Sequence, residues 1–245
     1  VDIIAEILKR EGIEVLSCFP TTPIIESAAK AGIRPIICRQ ERVGVGIADG
    51  YSRITNGDPL VVFAMQYGPG AENAYSGIAT AYSDSTPLLL LPMGHPTDRQ
   101  RVYPLYNAMD SFATVNKQIE QITSSDSTDD VFRRAFSALR TGRGGPVTVE
   151  LPINIASHDV SEESFHWPSN LKPTVSQGNP ADIQAAARAL CSAKYPVIHA
   201  GQGVLYAGAT PELVELSELL GAPVMTTLLG KSAFPEVHPL ALGTG

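Results

Sequence analysis

The chain has 245 residues, 18 Lys+Arg against 25 Asp+Glu, a formal net charge of −7, and 44% apolar against 18% charged residues. That composition can bury a sizeable core, which excludes intrinsic disorder, and its acidic balance offers no electrostatic reason to bind nucleic acid or an anionic membrane surface. No apolar run approaches the ~20 residues of a membrane span, no leader pattern opens the chain, and Cys18, Cys38 and Cys191 fall in no metal-ligand or redox spacing, so a cytoplasmic protein is expected.

Residues 1–11 set Val1, Ile3, Ile4, Ile7 and Leu8 on one stripe against Asp2, Glu6, Lys9 and Arg10. This predicts an amphipathic helix ended by Gly12. Ile13–Phe19 reads as a strand, Ile24–Lys30 as a helix and Pro35–Cys38 as a short strand. Residues 41–54 read as helical and Leu60–Met65 as a continuous apolar strand. A small-residue helix over Ala71–Ser83 precedes the strand Leu88–Leu91. After a less regular stretch come a helix at Thr128–Thr141 and the strand Val147–Leu151. Apolar strands alternating with helices predict an α/β domain over residues 1–155, a six-stranded parallel sheet flanked by helices. Ligands in such sheets bind beyond the carboxyl ends of the strands, so the loops after residues 19, 38, 65 and 91 are the ones that matter.

From Ala156 to Pro180, Ser, Pro, Glu and Asn replace the apolar periodicity, and a linker is expected there, strapped over a domain surface because Phe165 and Trp167 need cover. Ala181–Ala193 resumes as a helix, Val197–Ala200 as a strand, Pro211–Leu220 as a helix and Val224–Thr226 as a strand. Residues 181–245 thus read as an incomplete second α/β domain, and the chain as the front part of a longer protein.

Few residues point to chemistry on their own. Glu41 lies at a predicted strand-to-helix junction, where a solvated first-turn carboxylate is the commoner occupant. The alternative is a carboxyl facing a closed pocket and sharing a proton with a ligand nitrogen. Gly68-Pro69-Gly70 marks a tight turn with close backbone approach, but no Gly-Lys-Ser/Thr follows it, so it is no phosphate loop. Gly201-Gln202-Gly203 follows a strand as a dinucleotide fingerprint would, yet Tyr206 occupies the third glycine position. His95, His158, His166, His199 and His238 form no pair at helical metal-ligand spacing, and no nucleophile elbow is present.

Several segments together resemble one family. Arg39-Gln40-Glu41 followed by Ala48-Asp49-Gly50-Tyr51-Ser52-Arg53 is similar to the glutamate-bearing helix of thiamine-diphosphate-dependent enzymes of the acetolactate synthase and benzoylformate decarboxylase type. Gly68-Pro69-Gly70-Ala71-Glu72-Asn73 and the run from Gly77 to Pro87 resemble the family's next block. Thr141-Gly142-Arg143-Gly144-Gly145-Pro146-Val147, leading into Glu150-Leu151-Pro152, resembles the close of its pyrimidine-binding domain. The segments Tyr195–Val204 and Gly221–Thr227 look like its central domain.

The resemblance implies that Glu41 is the catalytic glutamate, bonded to the cofactor's pyrimidine so that the aminopyrimidine can take the proton from the thiazolium carbon. Such a task suits a carboxyl removed from water. It implies cofactor contacts at Pro20, Thr21, Gly68, Pro69, Gly70 and Asn73, with Thr22 and Gln66 on the substrate side. It implies a 2-oxo acid substrate, decarboxylation with or without carboligation, and a homodimer or homotetramer, since the glutamate serves cofactor held by a partner subunit. The family's Gly-x-Pro-Gly loop is here Cys18-Phe19-Pro20-Thr21, and Gln66 stands where other members carry histidine or threonine. Asn107 lies near where synthases carry a glutamine. The family's Gly-Asp-Gly segment for diphosphate and Mg²⁺ is not in these residues, so no metal site is expected in the chain and the fragment alone is expected to be inactive. Some synthases hold FAD in the central domain; with only part of that domain here, retention is not expected. Within the class the alternatives are a simple 2-oxo acid decarboxylase or an acyl-CoA lyase. Outside it stand a non-catalytic binding or assembly subunit with this fold, and a flavin or nicotinamide binder.

Overall fold

The computed structural model of the protein describes residues 1–160, 165–168 and 176–245. The chain divides into two compact units, Val1–Thr174 and Val175–Gly245.

The first unit runs α1 (Asp2–Arg10), β1 (Val15–Cys18), α2 (Ile24–Lys30), β2 (Arg34–Ile37), α3 (Glu41–Thr55), β3 (Val62–Met65), α4 (Pro69–Ser83), β4 (Leu89–Gly94), α5 (Ala108–Phe112), β5 (Gln118–Gln121), α6 (Thr128–Arg140), β6 (Val147–Pro152) and α7 (Ile153–Ala156). Its six strands are ordered β2-β1-β3-β4-β6-β5 and every pair is parallel. Alternation along the strands sorts two cores. Val62 and Ala64 join Ile7 and Leu8 of α1, Ile24 of α2 and Phe132 and Phe136 of α6 on one face. Val61, Phe63 and Met65 join Val45 of α3, Ala74 and Ile78 of α4 and Phe112 of α5 on the other. Both faces being covered, the strands read as unbroken apolar runs. The strand order reverses between β1 and β3, which puts the crevice of the sheet beyond those two strand ends.

The expected helices and strands of this unit are present, with bounds shifted by up to three residues, and the short helices α5 and α7 were not foreseen. β5 was not foreseen: Gln118-Ile119-Glu120-Gln121 is polar because it is an edge strand with every residue half-buried. β4 continues past Leu91 to Gly94, and α4 begins at Pro69 because proline suits the first turn of a helix.

In the expected linker, residues 161–164 and 169–175 lie outside the described ones. Trp167 is 5% exposed. Its Nε1 donates to Glu11 Oε1 at 2.7 Å, and its ring meets Phe136 edge-on at 6.1 Å. The Arg10 guanidinium covers the Phe165 ring at 5.1 Å. The two aromatic residues that needed cover have it.

The second unit holds α8 (Pro180–Ser192), β7 (Ile198–Ala200), α9 (Gly203–Tyr206), α10 (Thr210–Leu220), β8 (Val224–Thr226) and β9 (Ala241–Thr244), with a parallel sheet ordered β7-β8-β9. Its small core comprises Ala200, Leu213, Val224, Ala233 and Phe234. Gly203 opens the single turn α9, and Gln202 Nε2 donates to the Tyr206 hydroxyl at 3.1 Å. α9 and β9 were not foreseen; both are too short to show a period.

Candidate active site

Glu41 is the first residue of α3, directly after the extended Gln40. A carboxylate there meets the positive end of the helix, and the same position is often solvated. Here it is not, since Glu41 is 5% exposed. Two residues from the next helix account for its setting. Asn73, in the second turn of α4, donates from Nδ2 to Glu41 Oε2 at 2.9 Å. Gly70 is so close that a Cβ built on it would stand 2.7 Å from Glu41 Oε1 and 2.8 Å from Gln66 Cβ. Among the described residues no side-chain donor reaches Oε1, so one carboxylate oxygen is fixed and the other is left for a ligand.

The turn that delivers Gly70 starts from the end of β3. Gly68 has φ +57°, a conformation that favours glycine, and the Gly70 N–H donates to the Tyr67 carbonyl at 3.4 Å. Gln66 is half-buried beside this turn and Pro69 is exposed. The loop after β1 supplies Pro20 and Thr21, both exposed, and Thr22, which is buried. The Thr22 Oγ1 atom has no hydrogen-bond partner among the described residues. The structure therefore gathers Glu41, Gln66, Gly70 and Asn73 by direct contact. Pro20, Thr21 and Thr22 stand in the loop of the neighbouring strand, and no hydrogen bond joins them to Glu41 among the described residues. Asn107 lies apart as the N-cap of α5, its Oδ1 accepting from the Met109 and Asp110 N–H groups.

The cysteines nearby are not nucleophiles. Burial, and then the neighbouring Cys38, push the Cys18 thiol up to about 11. Burial also raises Cys38, with the Glu41 carboxylate adding to the shift. Both thiols stay protonated at neutral pH and pack as small apolar groups.

Sequence reasoning missed Glu150, on β6 at the carboxyl end of the sheet. It is buried, accepts from Gln121 Nε2 of β5, and lies against Gly94, where a Cβ would meet its Cδ at 2.8 Å. Burial pushes its carboxyl above the ordinary range, with Asp110 adding to the shift and the Gln121 bond opposing it. The only local signal was an acid inside an apolar strand, Val147-Thr148-Val149-Glu150-Leu151. Among the described residues no cluster of three or more His, Cys, Asp or Glu could hold a metal ion. No described helix is long and apolar enough to cross a membrane.

Comparison with known proteins gives matches along most of the chain. Residues 1–114 match the family model described as thiamine pyrophosphate enzyme, N-terminal TPP binding domain. Residues 183–245 match the model described as thiamine pyrophosphate enzyme, central domain. The probable acetolactate synthase large subunit of Methanocaldococcus jannaschii is 34% identical over 252 residues, covering 99% of this chain and 42% of the relative. That of Methanococcus aeolicus is 36% identical over 246 residues, covering 96% and 41%. The acetolactate synthase isozyme 3 large subunit of Escherichia coli is 36% identical over 220 residues, covering 86% and 38%. The chain spans about two-fifths of the length of the curated relatives it matches.

Proposed function

The chain belongs to the thiamine pyrophosphate enzymes, and on that premise we propose that it is the N-terminal part of an enzyme that decarboxylates a 2-oxo acid and joins the product to a second carbonyl. The observation that carries this reading is the Glu41 carboxyl, buried at a helix start with Oε2 held by Asn73 and Oε1 kept clear by Gly70. Such a set fits a pyrimidine ring nitrogen: an acceptor oxygen, a cradle that a side chain at residue 70 would fill, and a buried Thr22 hydroxyl lacking a partner among the described residues. Bound thiamine diphosphate would supply the electron sink for carbanion chemistry.

The chain's own residues do narrower work. Asn73 fixes the rotation of the carboxyl, so the proton that Glu41 shares belongs to Oε1. Burial keeps water from competing for that proton. Pro20, Thr21, Gly68, Pro69, Gly70 and Asn73 are assigned to the cofactor, and Thr22 and Gln66 to the substrate side. Residues 1–155 act as the pyrimidine-binding domain and 181–245 as part of a central domain. Mg²⁺ and the diphosphate are assigned to a domain beyond these residues, so the 245 residues alone are expected to be inactive. A cytoplasmic homodimer or homotetramer completes the reading.

The test is Glu41→Gln in the full-length enzyme. Glutamine keeps shape and hydrogen bonding but cannot share the proton, and a positioned acid–base group contributes roughly 100–10,000-fold. Carbon dioxide release should fall by that order under saturating cofactor, with the circular dichroism spectrum unchanged. Turnover near wild type would end the assignment.

A further inference from the structure

Tyr67 and His95 follow the carboxyl ends of neighbouring parallel strands, Tyr67 two residues after β3 and His95 directly after β4. Their rings meet with centroids 4.9 Å apart at 56°. This pair differs from the aromatic pairs of the core. Phe132 and Phe136 pack together fully buried, whereas Tyr67 is 39% exposed and His95 half-buried. Among the described residues neither the Tyr67 hydroxyl nor a His95 ring nitrogen has a hydrogen-bond partner. Two polar aromatic groups therefore pack on each other at the mouth of the sheet with their donors unused.

Their backbones are held. The Tyr67 carbonyl accepts from Gly70 N–H, in the turn that touches Glu41, and Gly94, just before His95, lies against the buried Glu150. Two residues beyond His95, Thr97 exchanges hydrogen bonds with Asn154: its N–H donates to Asn154 Oδ1 at 3.1 Å and its Oγ1 accepts from Asn154 Nδ2 at 2.9 Å. A pair anchored on both sides, one residue from Gln66, is preorganised for a ligand rather than adaptable.

We propose that Tyr67 and His95 are specificity-determining residues, selecting 2-oxo acids whose variable group accepts hydrogen bonds over those that end in alkyl carbon. This rests on the reading of the site given above. A phenol and an imidazole N–H are both donors. When an alkyl group closes against them they lose water and gain nothing, whereas a hydroxyl or carboxylate satisfies them. Sites built on hydrogen bonds reject the analogue that lacks the bonding group far more strongly than apolar pockets reject an extra polar atom.

The test uses two acids of equal size, 3-hydroxypyruvate and 2-oxobutyrate, with the full-length enzyme, thiamine diphosphate and Mg²⁺. The ratio of their kcat/KM values should favour 3-hydroxypyruvate in the wild type. Tyr67→Phe and His95→Phe keep a ring for packing and remove a donor, and each should lower that ratio about tenfold, through KM for 3-hydroxypyruvate, the loss of roughly one hydrogen bond. A general loss of packing would lower both kcat/KM values together and leave the ratio alone. A wild-type preference for 2-oxobutyrate, or a ratio unchanged in both variants, overturns the proposal. Glu41→Gln separates it from the reading beneath it: an inactive Glu41→Gln with an unchanged ratio sinks only the specificity role, and an active Glu41→Gln with a shifted ratio sinks only the glutamate's. Release of carbon dioxide from neither acid by the wild type overturns the specificity role alone, because the reading beneath it names no particular 2-oxo acid.

Discussion

A methyl group added at Gly70 would stand 2.7 Å from Glu41 Oε1 and 2.8 Å from Gln66 Cβ, so Gly70→Ala must displace one or both. Overpacking of this kind costs about 1–3 kcal/mol of stability. A larger effect is expected on the apparent KM for thiamine diphosphate, because the displaced atom is the one assigned to the cofactor. An unchanged cofactor KM alongside a lowered melting temperature would mean that the cradle is structural only. Glu150 gives a second prediction. Its carboxyl is raised by burial, so the folded state keeps a proton that the unfolded chain has already lost. The stability this represents is complete below the unfolded value of about 4.3 and fades as pH rises through the folded value. Glu150→Gln should therefore gain on wild type in urea midpoint as pH is raised toward neutrality, and a pH-independent difference would refute it. Both residues show the limit of a single sequence. Glu41 was legible through neighbouring motifs, but what its two carboxylate oxygens meet depends on Gly70 and Asn73, about thirty positions away. Glu150 was illegible as a buried acid because Gln121 and Gly94 reach it only after β4, β5 and β6 are aligned.

At the level of elements, α3 and α4 pack side by side on one face of the sheet, and their separation sets the distance from Glu41 to Asn73. At Gly77 the two helices come so near that a Cβ there would run into Val45 Cγ1. Gly77→Ala should destabilise the protein by about 1–3 kcal/mol. Adding Val45→Ala, which removes the obstructing methyls, should recover part of that loss, so the double variant should be more stable than the sum of the singles predicts. Additive effects would show that the helices part by another route. Most helices and the apolar strands could be read from periodicity, since burial on both faces leaves a continuous signal in β3 and β4. β5 could not, because an edge strand such as Gln118–Gln121 carries polar residues that also suit a loop. The first turn of α4 was hidden in a Gly-Pro-Gly run that reads as a bend.

On the scale of the whole molecule, the two compact units have very different cores. That of Val175–Gly245 is built on Ala200, Leu213, Val224, Ala233 and Phe234, while Val1–Thr174 has two apolar layers about a six-stranded sheet. The smaller core should yield first in urea. Trp167 makes this observable. It is the only tryptophan in the 245 residues, and it lies within Val1–Thr174 with its indole N–H on Glu11 and its edge against Phe136. Red-edge excitation of the chain therefore yields one emission band that shifts to longer wavelength when Glu11 and Phe136 let go of the indole. Far-ultraviolet circular dichroism follows helices of both units. The dichroism curve should begin to fall at lower urea than the fluorescence curve, and coincident curves would show that the units melt as one. For this chain, tryptophan emission excited at the red edge is a clock for Val1–Thr174 and is dark to Val175–Gly245.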